Sequence, residues 1–86
     1  MRGRRDWRLR TIDKVVGRAL SMLRREAKMT TEELAIHLGA TVGQIESYEA
    51  GIVPIPANRL FLAEDLFRCS TDFFFQHLYW PEIDIE

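Results

Sequence analysis

The sequence predicts an all-α domain, and two patterns carry that prediction. Between Met29 and Gly51, two segments open with a threonine three residues before Glu or Gln, the spacing of a helix-capping box, and each ends at a glycine. Between Thr11 and Ala27, apolar residues recur at the three- and four-residue spacing of one helical face. The 86 residues, 47 % of them hydrophobic, suffice for one small helical core.

The first predicted helix covers residues 11–27 and has two distinct faces. Its apolar stripe consists of Ile12, Val16, Ala19, Leu20, Leu23 and Ala27. The opposite face is basic and consists of Lys14, Arg18, Ser21, Arg25 and Lys28. A face of this kind is most often simply solvated.

The second and third predicted helices cover residues 31–38 and 42–50. Their capping residues are, in order, Thr30 with Glu33 and Thr41 with Gln44. Gly39 follows the last apolar position of the second helix, where a left-handed residue usually ends a helix. This glycine, together with the small side chain of Ala35, fits two helices that cross steeply at close range.

A fourth helix is predicted from Pro56 to Arg68, and a fifth begins near Thr71. The inward residues of the fourth helix are Leu60, Ala63, Leu66 and Phe67. Three consecutive phenylalanines, residues 73–75, follow, and neighbours step about 100° each around a helix. They span more than half of its circumference, so we expect one ring to lie outside the monomer's own core. Residues 81–86, which begin with a proline, are predicted to form an acidic tail.

Charge is distributed unevenly along the chain. The net charge is −1, but residues 1–28 hold ten Lys or Arg against three acidic residues, whereas residues 29–86 hold two Arg against ten acidic residues. Residues 1–10 also lack an apolar period. We predict that they form a flexible basic arm, which is either a solvated tail or an arm that meets nucleic acid.

From Gly17 to about Phe75, the sequence resembles the helix-turn-helix domains of the Cro and cI repressor type, also called the xenobiotic-response-element family. The matching positions are Gly17, Leu20, Leu23, Arg24, Met29, Thr30, Glu32, Glu33, Leu34, Ala35, Gly39, Thr41, Ile45, Glu49 and Gly51. The resemblance implies a five-helix, lambda-repressor-like DNA-binding domain in residues 11–80, with an aromatic C-terminal extension. It also implies a cytoplasmic transcriptional regulator that binds double-stranded DNA and represses by covering a promoter. Activation through contact with polymerase is the alternative.

The resemblance further implies roles for individual residues. The base-reading residues would be Thr41, Val42, Gly43, Gln44 and Ser47. The phosphate-binding residues would be Thr31, Asn58, Arg59 and Arg18. The arm resembles minor-groove-binding arms and would use Arg2, Arg4 and Arg5. Arg24 and Glu49 would form a structural ion pair between the first and third helices.

The family also suggests a homodimer on an inverted repeat, with two recognition helices about 34 Å apart in successive major grooves. The residues expected at the dimer interface are Phe75, Leu78, Tyr79 and Trp80. The alternative is that this aromatic segment folds back over its own core.

The chain departs from the family in the charge of its central unit. Between Met29 and Gly51 there is no Lys or Arg, and there are four Glu, although phosphate neutralisation supplies most non-specific affinity for DNA. Either the arm and the first helix supply the positive charge, or the chain is a protein-interaction module. Such a module would be an antitoxin, an anti-activator or an adaptor that binds RNA polymerase or another regulator. A third interpretation is a non-specific nucleic-acid binder that depends on the arm alone.

Other kinds of site find little support in the sequence. The single cysteine, Cys69, leaves no internal disulfide and fits a reducing cytoplasm. His37 and His77 have no Cys or acidic residue at metal-ligand spacing, so no metal site is predicted. No phosphate-binding glycine loop, catalytic pair or membrane-length apolar run occurs, and we expect neither an enzyme, a cofactor nor a membrane protein.

Overall fold

The computed structural model describes the backbone of residues 2–75 and the side chains of residues 11–75. This part of the chain is all-helical and contains no strand, which confirms the predicted all-α class. Its helices are α1 (Arg2–Glu26), α2 (Thr31–Leu38), α3 (Val42–Ala50), α4 (Ala57–Phe67) and a short α5 at residues 71–75. Three expected dimer residues, Leu78, Tyr79 and Trp80, and the acidic tail 81–86 lie outside the described residues.

Helix α1 begins at Arg2, nine residues before the predicted start at Thr11. The backbone of residues 2–10 is thus helical and continuous with α1, where the sequence predicted a flexible arm. That prediction rested on the absence of apolar residues at helical spacing. Such spacing indicates that a helix packs against a core, but a helix can form without it. Arg and Leu are good helix formers, and the segment contains no proline.

The C-terminal end of α1 also differs from the prediction, because the helix stops at Glu26. Lys28 takes a left-handed conformation with φ 57°, and the Met29 N–H donates to the Arg24 carbonyl oxygen at 3.0 Å. The chain thus turns away one residue early. Ala27, which we expected on the buried stripe, is exposed for this reason.

Both predicted capping boxes are present, and α2 and α3 have the predicted bounds. The Thr30 N–H donates to Glu33 Oε1 at 2.8 Å, and the Glu33 N–H donates to Thr30 Oγ1 at 3.0 Å. Gly39 ends α2 with φ 67°, and Gly51 ends α3 with φ 76°. These conformations favour glycine, since a Cβ atom is strained there. Capping signals are local in sequence, which is why the bounds could be predicted.

The core joins all five helices. Its buried residues are Val16, Ala19, Leu20, Leu34, Ala35, Leu38, Ile45, Tyr48, Ala63 and Phe74. Phe74 is fully buried, and its ring meets that of Phe73 edge to face, with the centroids 6.1 Å apart. Phe73 and Phe75 are half-buried and pack against the core. The three rings are thus unequally covered, as their spacing around the helix requires.

Helices α1 and α3 cross at a point where only glycine fits. A Cβ atom built on Gly17 would overlap the carbonyl oxygen of Tyr48 and lie 3.0 Å from that of Glu49. The missing side chain lets the two backbones approach closely. This crossing fixes how far α3 stands out from the core.

Helix α4 begins at Ala57, one residue after the predicted start at Pro56, which is its N-cap residue. It ends at Phe67, and Arg68 takes a left-handed conformation with φ 57°. Ala63 is buried, whereas Leu60, Leu66 and Phe67 are half-buried against the core. In the part of the chain described, no helix combines the length and the apolar character that a membrane crossing demands.

Candidate nucleic-acid interface

The five predicted base-reading residues lie at the N-cap, in the first turn and near the middle of α3. Thr41 is the N-cap residue, the next three residues form the first turn, and Ser47 stands four residues after Gly43 on the same face. Thr41, Gly43 and Gln44 are exposed, whereas Val42 and Ser47 are half-buried. The opposite face of α3 is buried through Ile45 and Tyr48. The helix therefore presents one small polar surface to solvent.

The capping box of α3 constrains how Gln44 can bind a ligand. The Thr41 N–H donates to Gln44 Oε1 at 2.9 Å, and the Gln44 N–H donates to Thr41 Oγ1 at 3.1 Å. A bidentate contact with adenine needs both the oxygen and the nitrogen of the amide. Such a contact requires Gln44 to leave the box, whereas a single hydrogen bond donated by its amide nitrogen does not. The sequence predicted both the capping role and the base-reading role of Gln44. It did not show that both roles need the same side-chain oxygen.

The N-termini of α2 and α3 differ in charge. The first turn of α2 carries Glu32 and Glu33, and the Glu33 carboxylate is the capping acceptor. The expected phosphate contact of Thr31 would lie beside these two carboxylates, which disfavour an anion. The first turn of α3 carries no acidic residue, so its backbone N–H groups and helix dipole favour negative charge.

The expected pair of Arg24 and Glu49 is present and anchors α3 to α1. Arg24 donates from Nε to Glu49 Oε2 at 2.7 Å and from Nη2 to Oε1 at 3.0 Å. Its Nη1 donates to the carbonyl oxygen of Met29 at 2.9 Å. The two side chains are only 15 % and 11 % exposed. The hydrogen bonds to Glu49 raise the pKa of Arg24, so the guanidinium stays charged.

The guanidinium of Arg59, expected at a phosphate, is hydrogen-bonded within the fold. Its Nη1 donates to the Tyr48 hydroxyl oxygen at 2.6 Å, and its Nη2 donates to the Gly39 carbonyl oxygen at 2.9 Å. The half-buried guanidinium thus joins α4 to α3 and to the turn before it. These partners lie 11 and 20 residues away in the chain, and no local pattern points to them. Asn58, the neighbouring candidate, is exposed.

Positive charge on the described surface is concentrated on α1. Lys14, Arg18 and Arg25, which we call the basic stripe, are exposed and line a surface depression of about 510 Å³ beside the C-terminal end of α3. The one carboxylate in its lining belongs to Glu49, which is engaged with Arg24. Within residues 11–75, the pair of Arg24 and Glu49 is the only ion pair. The stripe is therefore a cluster of cations with which no carboxylate of residues 11–75 forms an ion pair.

The expected arm residues Arg2, Arg4 and Arg5 fall in the first turns of α1, and their side chains lie outside the described part. An extended peptide threaded into a minor groove is not what the backbone of residues 2–10 forms. Within residues 11–75, no group of His, Cys, Asp or Glu side chains is arranged to hold a metal ion. Cys69 is half-buried, and burial, followed by the nearby Glu64 carboxylate, raises the pKa of its thiol.

No protein-family model, curated protein or solved structure matches the chain. A functional assignment therefore rests on the residues themselves and on the way the helices present them.

Proposed function

We propose that this chain is a sequence-specific DNA-binding regulator of the Cro/cI type, with a lambda-repressor-like domain. In this proposal it acts as a homodimeric repressor on an inverted repeat, with α3 in the major groove. The observation that carries the proposal is the presentation of α3. A short helix with an exposed polar N-terminal half is fixed to α1 by a two-bonded ion pair and by a glycine crossing.

The exposed residues of α3 have the chemistry that base recognition needs. The Gln44 amide can donate to an acceptor on a base edge without leaving its capping box, and the hydroxyl groups of Thr41 and Ser47 can donate or accept. Val42 supplies an apolar contact for a thymine methyl group. A Cβ atom on Gly43 would meet nothing closer than Thr41 Oγ1 at 4.0 Å. Packing within the chain therefore does not require a glycine at position 43. The missing Cβ atom leaves room for another molecule to approach the backbone closely.

The basic stripe can supply the phosphate affinity that α2 and α3 lack. Helix α3 has nine residues and is about 13 Å long, close to the roughly 12 Å width of the major groove. The base-reading residues lie at one end of it and the basic stripe at the other. A helix in the groove would thus bring Lys14, Arg18 and Arg25 to the backbone at the rim. Arg2, Arg4 and Arg5 extend the same basic helix in sequence.

Fluorescence anisotropy across a salt series tests this proposal. The two duplexes are the DNA upstream of the chain's own gene and a scrambled version of it. We expect a preference of about 10³-fold for the native duplex. Arg18→Gln and Arg25→Gln should each weaken binding to both duplexes equally and reduce the log–log salt slope by about 0.9. Arg68→Gln, an exposed arginine at the end of α4, is the matched control and should change neither. Equal binding to the two duplexes would contradict sequence-specific recognition.

A protein-interaction module is the second candidate, and one group of observations favours it. The exposed surface of α2 and α3 carries Glu32, Glu33 and Glu46 and no cation, and Ile36 on α2 is 80 % exposed. An acidic surface with one prominent apolar side chain suits a basic protein partner better than a phosphate backbone. Capture of purified RNA polymerase by the wild type, but not by Ile36→Lys, together with no DNA preference, would favour this candidate.

A further inference from the structure

The outer face of α4 carries apolar side chains that nothing in the described chain covers. Phe61 is 64 % exposed and Leu62 is 45 % exposed, while Ala63, which follows them, is fully buried. Asn58 and Asp65 are also exposed and stand at helical spacing on either side of the apolar pair. We call these four residues the α4 outer face. An apolar pair of this size is ordinary on a monomer's surface, so its significance depends on the residues around it.

The order of residues along this face is self-complementary. In a two-fold contact, the same patch meets itself, so residues equally distant from the axis are opposed. If two antiparallel copies of α4 meet with the axis between Phe61 and Leu62, Phe61 lies against the partner's Leu62. Asn58 and Asp65 are each between three and four residues from that axis, on opposite sides. The amide nitrogen of Asn58 then donates to the carboxylate of the partner's Asp65, and symmetry makes this hydrogen bond twice.

We propose that the α4 outer face binds the α4 outer face of a second copy of this chain. This contact would provide the homodimer that the proposed function needs. Its biological use rests on the proposed function, whereas the contact itself does not. It differs from the sequence-based expectation, which placed the interface at Phe75, Leu78, Tyr79 and Trp80. It also gives Asn58 a role in pairing instead of phosphate binding.

The contact is small. The two apolar side chains offer about 200 Å² per copy, well below the roughly 800 Å² per partner of a standard stable interface. We therefore expect dissociation on the order of micromolar or weaker for the free protein. Two half-sites on one DNA molecule would raise the effective concentration and complete the pairing.

Sedimentation velocity over a concentration series, without DNA, measures this contact in the full chain. Phe61→Glu should weaken dimerisation by about 100-fold or more, because it places a charge at the centre of the apolar pair. Ile52→Glu is the matched control, since Ile52 is 74 % exposed and lies in the loop after α3, and it should leave the dimer unchanged. Thermal unfolding of both variants checks that these surface changes leave the monomer folded.

The pairing of Asn58 with the partner's Asp65 has its own test. Asn58→Asp should weaken the dimer about tenfold by opposing two carboxylates, and Asn58→Lys should strengthen it several-fold. The exchange Asn58→Asp with Asp65→Asn keeps an amide opposite a carboxylate and should return dimerisation to near the wild-type value. Failure of the exchange to restore the dimer would overturn the proposed register.

Three results would overturn the contact itself. One is a wild-type chain that stays monomeric at all accessible concentrations. Another is an unchanged dimer in Phe61→Glu. The third is a dimer that Tyr79→Glu disrupts and Phe61→Glu does not, which would return the interface to the aromatic segment. A dimer of the proposed kind without any DNA preference would leave this inference intact and refute the proposed function.

Discussion

Arg24 and Glu49 lie on different helices and are joined by two parallel hydrogen bonds, from Nε to Oε2 at 2.7 Å and from Nη2 to Oε1 at 3.0 Å. A third donor of the same guanidinium reaches the carbonyl oxygen of Met29. One side chain therefore joins the end of α1, the residue before the N-cap of α2 and the last turn of α3. The position of the exposed surface of α3 depends on this arrangement.

Removing the carboxylate should destabilise the domain strongly. Glu49→Gln leaves the Arg24 charge largely out of water without an anionic partner, and we expect a loss of about 2–4 kcal/mol. Glu46→Gln, an exposed change on the same helix, should stay within about 0.5 kcal/mol. Urea unfolding measures both. The double variant Arg24→Met with Glu49→Leu should recover much of the loss, because no charge is left stranded. Equal effects of the two single glutamate variants would refute a structural role for the pair.

Replacement of a helical glycine by alanine should have opposite effects on stability at Gly17 and at Gly43. Gly17→Ala places a Cβ atom onto the Tyr48 carbonyl oxygen and should cost about 3 kcal/mol, since two backbones must separate. Gly43→Ala enters open space and should stabilise the domain by roughly 0.5–1 kcal/mol. Thermal or urea unfolding of the pair gives the comparison. If Gly43→Ala stabilises the fold but weakens specific DNA binding, the close approach at that position is functional. Destabilisation by Gly43→Ala would contradict the open environment.

Arg59 offers a choice between a structural and a phosphate-binding role. Arg59→Ala removes the hydrogen bonds to Tyr48 and Gly39, and we expect a loss of about 2 kcal/mol in unfolding free energy. Tyr48→Phe should cost about 1 kcal/mol through loss of one of these bonds. Because the guanidinium serves the fold, Arg59→Ala should leave the salt slope of DNA binding unchanged. A slope reduced by about 1, with unaltered stability, would instead identify a phosphate contact.

The contribution of Asp13 to the free energy of unfolding should fall as pH rises. This side chain is half-buried, and burial raises the pKa of its carboxyl above the ordinary value of 3.8. The folded state therefore prefers the protonated form. The stabilisation is present below the unfolded-state pKa and is lost as pH rises through the folded-state pKa. Asp13→Asn should stabilise the domain at neutral pH and gain less at about pH 3. Urea unfolding at the two pH values tests this, and an equal effect at both would contradict it.

The parts of the fold that could be predicted are those encoded locally. Helices α2 and α3 begin and end where capping boxes and terminal glycines place them, within a few residues of the signal. The start of α1 was missed because a basic segment without an apolar stripe can still be helical. The hydrogen bonds of Arg59 were not predicted because its partners are distant in the chain and one is a backbone carbonyl. The Arg24 and Glu49 pair, although 25 residues apart, was expected only through resemblance to a family.

The candidate site also combines features that are encoded locally with features that depend on the folded chain. The exposed face of α3 follows from helical spacing once the helix bounds are known. The capping bond that occupies the Gln44 oxygen was predicted from the Thr41–Gln44 spacing. The availability of the basic stripe was not, because it depends on the engagement of Glu49 with Arg24 in the folded chain. The uncovered pair at Phe61 and Leu62 was also missed, because spacing on α4 identifies an inward face but not what remains exposed on the other side.

The central claim is that α3 reads bases, and selection from a random pool of duplexes tests it most directly. Gln44→Glu is the sharpest variant, because glutamate keeps the oxygen that accepts from the Thr41 N–H and loses the amide donor. We predict that the wild type enriches an inverted repeat with half-sites about 34 Å apart. We also predict that Gln44→Glu loses preference, by about 10- to 100-fold, at one base pair in each half-site while the other positions persist. No enriched sequence, or the same sequence enriched equally by both proteins, would contradict the claim.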